Sequence, residues 1–257
     1  MMKLMNISLK WLFKVLIITL LVSVNQTSYA EPLNFGIFKI EPWGMLTQEG
    51  VTGINWQQTQ AILTKTSLTA QPVLSNYPRM IKQLKAGKTQ CAIFTVSPGS
   101  AKQFNRIVFL YDLTVVAISR KGIEINEIKD LKNRNIIKTI GFANGTDKAF
   151  QEIFYDPDIT RHVIPSPAQA PLLLARKRID AFIGIKQTML YAINKADAAD
   201  FISYPWYEIK KLSVWLQCSK KAKLTTIELD ELKKAAIESR DSGELDRIIK
   251  KWIKVDA

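Results

Sequence analysis

Two long β-type runs constrain this chain more than any other feature. Residues 113–119 (LTVVAIS) and 211–218 (KLSVWLQC) have similar form, and each ends in charge, Arg120-Lys121 after the first and Lys220-Lys221 after the second. One full series of short apolar runs and helical patterns lies between them, and another precedes the first. Such alternation specifies an α/β architecture. A unit bracketed by two long runs predicts that both runs cross between two lobes, each a mixed sheet flanked by helices. The first lobe then takes the chain's start and end, residues 31–117 plus 214–257, and the second takes the middle, 118–213. Lobes joined by two strands enclose a cleft able to shut on a solute.

The elements follow from periodicity. Strands are expected at 33–38, 73–74, 91–94, 136–142, 161–164 and 180–185, and helices at 53–64, 77–85, 146–154 and 168–176. Two helices close the chain. Thr225 with Glu228 makes a capping box ahead of the first, and Ser242-Gly243 breaks it. Leu245, Ile248, Ile249, Trp252 and Ile253 then recur as one apolar stripe, expected to pack on the first lobe.

Residues 1–30 read as a cleavable export leader. Lys3, Lys10 and Lys14 precede an apolar run at 15–24, and Ser28-Tyr29-Ala30 gives the small-x-small end that a leader peptidase reads. The run is about ten residues, short of the roughly twenty that a spanning helix needs. Cleavage after Ala30 leaves a periplasmic chain with no cysteine at its start to carry a lipid.

Without the three leader lysines, 33 basic residues face 23 acidic ones, a net +10. In an exported chain this excess reads as a solvated basic surface rather than a nucleic-acid interface, because the lysines are scattered and carry no interleaved aromatics. Cys91 and Cys218 open and close apolar runs, and either a bridge between them or two buried small hydrophobes fits. His162, the one histidine, sits within a strand-like segment and reads as structural, which excludes a multi-His metal site. There is no Gly-rich phosphate loop, and no cofactor is expected.

The order and spacing of several short motifs resemble the bacterial periplasmic solute-binding proteins of the polar amino-acid ABC importer type, family 3. The marks are Glu41-Pro42-Trp43 after the first strand, Tyr77-Pro78-Arg79-Met80-Ile81 with Leu84-Lys85-Ala86-Gly87-Lys88, and Phe94-Thr95-Val96-Ser97-Pro98. They continue with Ile128-Lys129-Asp130-Leu131, residues 140–146 (IGFANGT), 173–181 (LLARKRIDA) and 241–252 (DSGELDRIIKKW). The resemblance covers nearly all of residues 33–255 and implies the two-lobed type II periplasmic-binding fold. It implies a monomer that captures a small polar solute and serves an ABC permease, without catalysis.

The residues expected at the ligand are Glu41, Trp43, Tyr77, Thr95, Ser97, Ser100, Asn144, Thr146 and Gln187. Trp43 follows a strand's carboxyl end and suits stacking, and Thr95 and Ser97 offer hydroxyls at another strand end. Asn144 and Thr146 open a helix whose free N–H groups favour an anion or acceptor. Amino-acid binders of the family carry an Arg clamp where this chain has Ser100, and an Asp for the α-ammonium where it has Ile185, followed by a helix-start Lys186. Both ionic anchors are replaced, so an atypical ligand is expected. The alternatives are a binding protein that feeds a membrane sensor and a periplasmic dehydratase-like enzyme with Glu41 as general acid.

Overall fold

Strands buried on one or both faces assemble here into one twisted eight-stranded sheet. The computed structural model describes residues 31–95, 102–139 and 148–253, and from Pro32 onward they belong to one compact unit. The expected leader, the end of the strand at 136–142, and Ser97, Ser100, Asn144 and Thr146 lie outside the described residues.

In sheet order the strands are β4 (Ala70–Ser75), β1 (Leu33–Phe38), β5 (Cys91–Thr95), β10 (Tyr207–Ser219), β6 (Phe104–Ser119), β9 (Ala181–Ile185), β7 (Asn135–Thr139) and β8 (Thr160–Ile164). β1 sits between β4 and β5, all parallel. β9, β7 and β8 form a second parallel set. Between the sets run β6 and β10, antiparallel to each other and to their outer neighbours. β10 joins β5 from Val214 onward, and β6 joins β9 from Val115 onward. Residues 112–114 and 211–213 therefore pair only with each other among the described residues, a two-stranded waist within a wide sheet. This is the two-lobed type II layout.

β6 starts at Phe104, well before the run read at 113–119. Its first half alternates, with Phe104, Val108 and Leu110 buried and Asn105 and Arg106 exposed. Its second half is buried on successive residues and so reads as a plain apolar run.

Each half of the sheet carries a core on both faces. In the terminal half, α1 (Ile54–Leu63), α6 (Thr226–Asp241) and α7 (Glu244–Ile253) cover Phe35, Ile37, Ile93 and Leu216. On the other face α2 (Tyr77–Ala86) lays Met80 and Leu84 on Phe94 and Phe104. In the middle half, α3 (Lys148–Phe154) and the 3-10 turn Ile128–Leu131 cover Val115, Ile136 and Ile183. Opposite them α4 (Ala170–Ala175) and α5 (Lys186–Ala196) cover Val116, Ile118 and Phe182. A short hairpin, β2 (Met45–Thr47) with β3 (Gly50–Thr52), stands apart from the sheet.

The closing helices form as their signals specify. Thr225 and Glu228 exchange bonds at 2.7 and 3.2 Å in a capping box. α7 buries Leu245, Ile249 and Ile253, with Ile248 and Trp252 half-buried on the same side, and it packs on α1 and also on α5. Cys91 and Cys218, opposite each other on β5 and β10, form a disulfide and are fully buried. His162 lies within the edge strand β8 and is exposed. Among the described residues no helix is long and apolar enough to cross a membrane.

Candidate functional site

Two strand ends from different halves frame the candidate cleft, Thr95 on β5 and Ile185 on β9. In open α/β sheets ligands bind beyond the carboxyl ends of such strands. Tyr77 opens α2, whose N-cap Asn76 accepts the Arg79 backbone N–H at 3.0 Å. Its ring packs edge-on against Phe38 and Phe94, with centroids 6.2 and 6.5 Å away. Its hydroxyl hydrogen-bonds the Thr95 side chain. Burial pushes the Tyr77 phenol up, only partly offset by that bond, so it stays neutral and able to donate. The structure thus joins two of the expected residues.

Glu41 and Trp43 lie on the loop after β1. Gly53 is the N-cap of α1 and offers no side-chain cap, and the loop takes two of the helix's first N–H groups: Ile54 donates to the Pro42 carbonyl at 2.9 Å and Asn55 to the Trp43 carbonyl at 3.0 Å. The approach is so close that a Cβ at Gly53, where φ is 118°, would sit 2.8 Å from the Trp43 carbonyl oxygen.

Trp43 is packed away from solvent, whereas Glu41 stays partly exposed and is paired. Trp43 is only 3% exposed, lies 6.4 Å from Phe38 in a stacked pair, and donates its indole N–H to Thr188 Oγ1 at 2.8 Å. Glu41 accepts from Lys195 Nζ at 2.5 Å. That hydrogen bond raises the Lys195 pKa above the ordinary lysine value. In this structure Trp43 packs against α5 through Thr188.

Gln187 is the second residue of α5, and its side-chain amide oxygen, Oε1, is buried with no hydrogen-bond partner among the described residues. A buried unpaired acceptor costs about 1–3 kcal/mol, so this group calls for a donor. Ile185 is half-buried and packs against both the terminal and the middle cores. Lys186 pairs with Glu208 at 3.1 Å on the surface. Among the described residues no cluster of three His, Cys, Asp or Glu side chains is placed to hold a metal.

Sequence reasoning missed α5 beyond its first residue, and with it Thr188, Tyr191, Asn194 and Lys195. A signal was present: Met189, Ala192 and Ile193 recur at i, i+3, i+4 and are all buried.

The profile of the bacterial extracellular solute-binding proteins, family 3, matches residues 34–255. The chain belongs to that family. Solved structures share the fold at low identity. A histidine kinase sensor domain with similarity to periplasmic binding proteins is 19% identical, with a TM-score of 0.69 over 86% of this chain and 95% of that one. An ancestral arginine-binding protein bound to arginine is 18% identical, with a TM-score of 0.70 over 87% and 98%. The substrate-binding protein of an amino-acid ABC transporter is 18% identical, with a TM-score of 0.66 over 87% and 100%. No curated protein matches the chain. The family and fold are those of binding proteins.

Proposed function

We propose that this family-3 chain is exported after cleavage behind Ala30 and captures one small polar solute between its lobes, for delivery to an ABC permease. The first lobe takes the two ends of the chain and the second its middle, divided near the waist. The solute is bound, not turned over. Glu41, the candidate general acid, is already engaged by the Lys195 ammonium.

The observation that carries the ligand reading is the end of β9. An apolar Ile185 stands there, where an amino-acid binder would hold a carboxylate, and a donor-seeking Gln187 carbonyl follows two residues on. An ammonium left unpaired in a closed site costs several kcal/mol. The solute is then a hydrogen-bonding molecule with a flat or apolar part, met by Tyr77, Thr95 and Gln187 together with Ser97, Ser100, Asn144 and Thr146.

Calorimetry with all twenty amino acids tests this. Ordinary α-amino acids are expected to bind more weakly than about 100 μM, an affinity below roughly 5.5 kcal/mol. A sub-micromolar response to any of them overturns the reading. A thermal-shift screen of amines, organic acids and short peptides then finds the solute, since binding to the folded state alone raises the melting temperature.

The fold shared with a histidine kinase sensor domain favours one second reading, delivery to a membrane sensor. A permease and an ATPase encoded beside this chain support import, and a histidine kinase or cyclase supports sensing.

A further inference from the structure

α5 divides its two sides between two cores. Met189 and Ile193 enter the middle core beside Ile118 and Phe182. Leu190 and Tyr191 pack instead on the terminal core, which is built from the ends of the chain. The helix also carries four polar or aromatic contacts to that half. Thr188 accepts the Trp43 indole N–H at 2.8 Å, in a buried bond. Tyr191 faces Trp252 with ring centroids 6.4 Å apart, and the Trp252 indole N–H is fixed on Gln57 Oε1 at 2.9 Å. Asn194 Nδ2 donates to the Ile253 carbonyl at 2.9 Å, near the end of α7. Lys195 reaches Glu41 and lies 5.7 Å from the centre of the Tyr191 ring. Positions 188, 191 and 195 fall at i, i+3, i+7, one stripe along the helix.

We propose that this stripe is a clasp between the lobes, a non-covalent third connection beside β6 and β10. A waist of two strands resists bending weakly, so contacts made only when the lobes are together weight the open–closed balance. Trp43, Glu41, Thr188 and Lys195 are then positioning residues. They set the apparent affinity for the solute without touching it, because that affinity scales with the fraction of molecules in the competent arrangement. α5 also starts at the β9 strand end, with Gln187 in its first turn, so one helix holds a candidate ligand acceptor there and the clasp along its length. The consequence for affinity rests on the solute-binding reading, whereas the clasp itself is a statement about lobe separation.

Small-angle X-ray scattering on the exported protein, with no solute added, tests the clasp directly. Trp43→Phe keeps most of the ring and deletes the N–H, and Thr188→Val keeps the shape and deletes the acceptor. Each is expected to increase the radius of gyration, and the pair together no more than either alone. Glu41→Lys sets two cations against each other and is expected to widen the molecule further, with Glu41→Lys/Lys195→Glu returning it to the wild-type radius. Lys186→Met breaks an ion pair inside the middle half, on the same helix, and leaves the radius unchanged. Far-UV circular dichroism confirms that each variant is folded. Wild-type radii for folded Trp43→Phe and Glu41→Lys, or a charge swap that fails to restore, overturn the clasp. A responsive radius in a protein that binds nothing in the screens leaves the clasp standing and removes the binding reading.

Discussion

The two halves of the sheet share a plan but differ in what fastens them. The terminal half is fastened from inside, by the Cys91–Cys218 bridge and by buried side chains that reach backbone groups across the core. Asn55 donates to the Ile93 carbonyl at 3.2 Å, Gln217 to the Phe94 carbonyl at 3.1 Å, and Gln58 to the Leu245 carbonyl at 3.1 Å. Among the described residues the middle half holds one buried side-chain bond, from Ser119 Oγ to the Ile123 carbonyl at 2.6 Å, and is otherwise tied at one end by ion pairs, part-buried at Arg120 and more exposed at Lys132. Arg120 pairs with Asp180, and Lys132 with Asp156 and Asp158, at the end of the sheet opposite Ile185. Buried hydrogen bonds are shielded from solvent, whereas exposed ion pairs weaken with salt and titrate with pH. The middle half is therefore expected to answer first to ionic conditions, and the terminal half to reduction and core substitution.

The largest effect tests the internal fastening. The bridge spans a sequence separation of 127 residues, and closing so long a loop constrains the unfolded chain strongly. Cys91→Ala with Cys218→Ala is expected to lose roughly 3–5 kcal/mol in urea denaturation, from chain entropy and lost packing. A loss equal to that from a surface substitution would end the comparison. Because both sulfurs are buried, a mild reductant is expected to act on the native protein only through opening.

Gln58 comes next. It is fully buried, donates to Leu245 on α7 and accepts from the Tyr111 hydroxyl on β6 at 2.8 Å, so one side chain ties a helix from each end of the chain to a crossing strand. Burial pushes the Tyr111 phenol far above its usual value, so it remains a donor across the working range of pH. Gln58→Leu fills the space but strands both partners, and is expected to cost about 2–4 kcal/mol. A near-neutral result would show that water replaces the amide there.

These fasteners divide sharply in how far the sequence reveals them. The capping box at Thr225, the α7 stripe and the strand ends at Thr95 and Ile185 are local patterns, each encoded within about ten residues. The fold is accordingly readable from order and spacing alone. The disulfide is not, since two apolar runs bounded by cysteine fit a bridge or two buried thiols until β5 and β10 are set side by side. Trp43 is the sharper lesson. An aromatic just past a strand end can face a solute or a helix, and what decides between them is Thr188, 145 residues away. Tyr77 and Thr95 come together because both sit at element ends whose direction is fixed by local structure. The first half of β6 escaped because its exposed face is polar.

Asp180 gives a smaller test, now of the ion-pair fastening. Its carboxylate accepts from Arg120 Nε at 3.1 Å and from the Asn135 backbone N–H at 3.0 Å, joining the ends of β6, β9 and β7. Asp180→Ala is expected to cost about 1–2 kcal/mol. The loss should concentrate in the middle half, seen as faster hydrogen exchange at Ile136 and Ile137 with little change at Ile93. Uniform acceleration across both halves would mean that the sheet unfolds as one unit and that the comparison is only descriptive.

The smallest effect is a pH response centred on the same end, with one lowered carboxyl in the terminal half, Asp241, held by its hydrogen bond to Arg240. The Asp156 carboxyl is held below the usual carboxylate range, first by the Asp158 backbone N–H and then by Lys132, and Asp130 is lowered mainly by the Asn126 backbone N–H. A depressed folded-state pKa gives stability that is fully present above the unfolded value, roughly 3.9 for Asp, and lost as pH falls through the folded one. Lys132 runs the other way. Its pKa is raised, first by its hydrogen bond to Asp156, so its share is present below about pH 10.4 and lost as pH climbs through the raised value. The middle half is thus expected to loosen below about pH 4 while β5 and α7 keep their protection, measured by hydrogen exchange corrected for intrinsic rate. Asp156→Asn should flatten that acid response without touching the terminal half. If the variant titrates like the wild type, the lowered carboxyl at Asp156 is not what fastens this end.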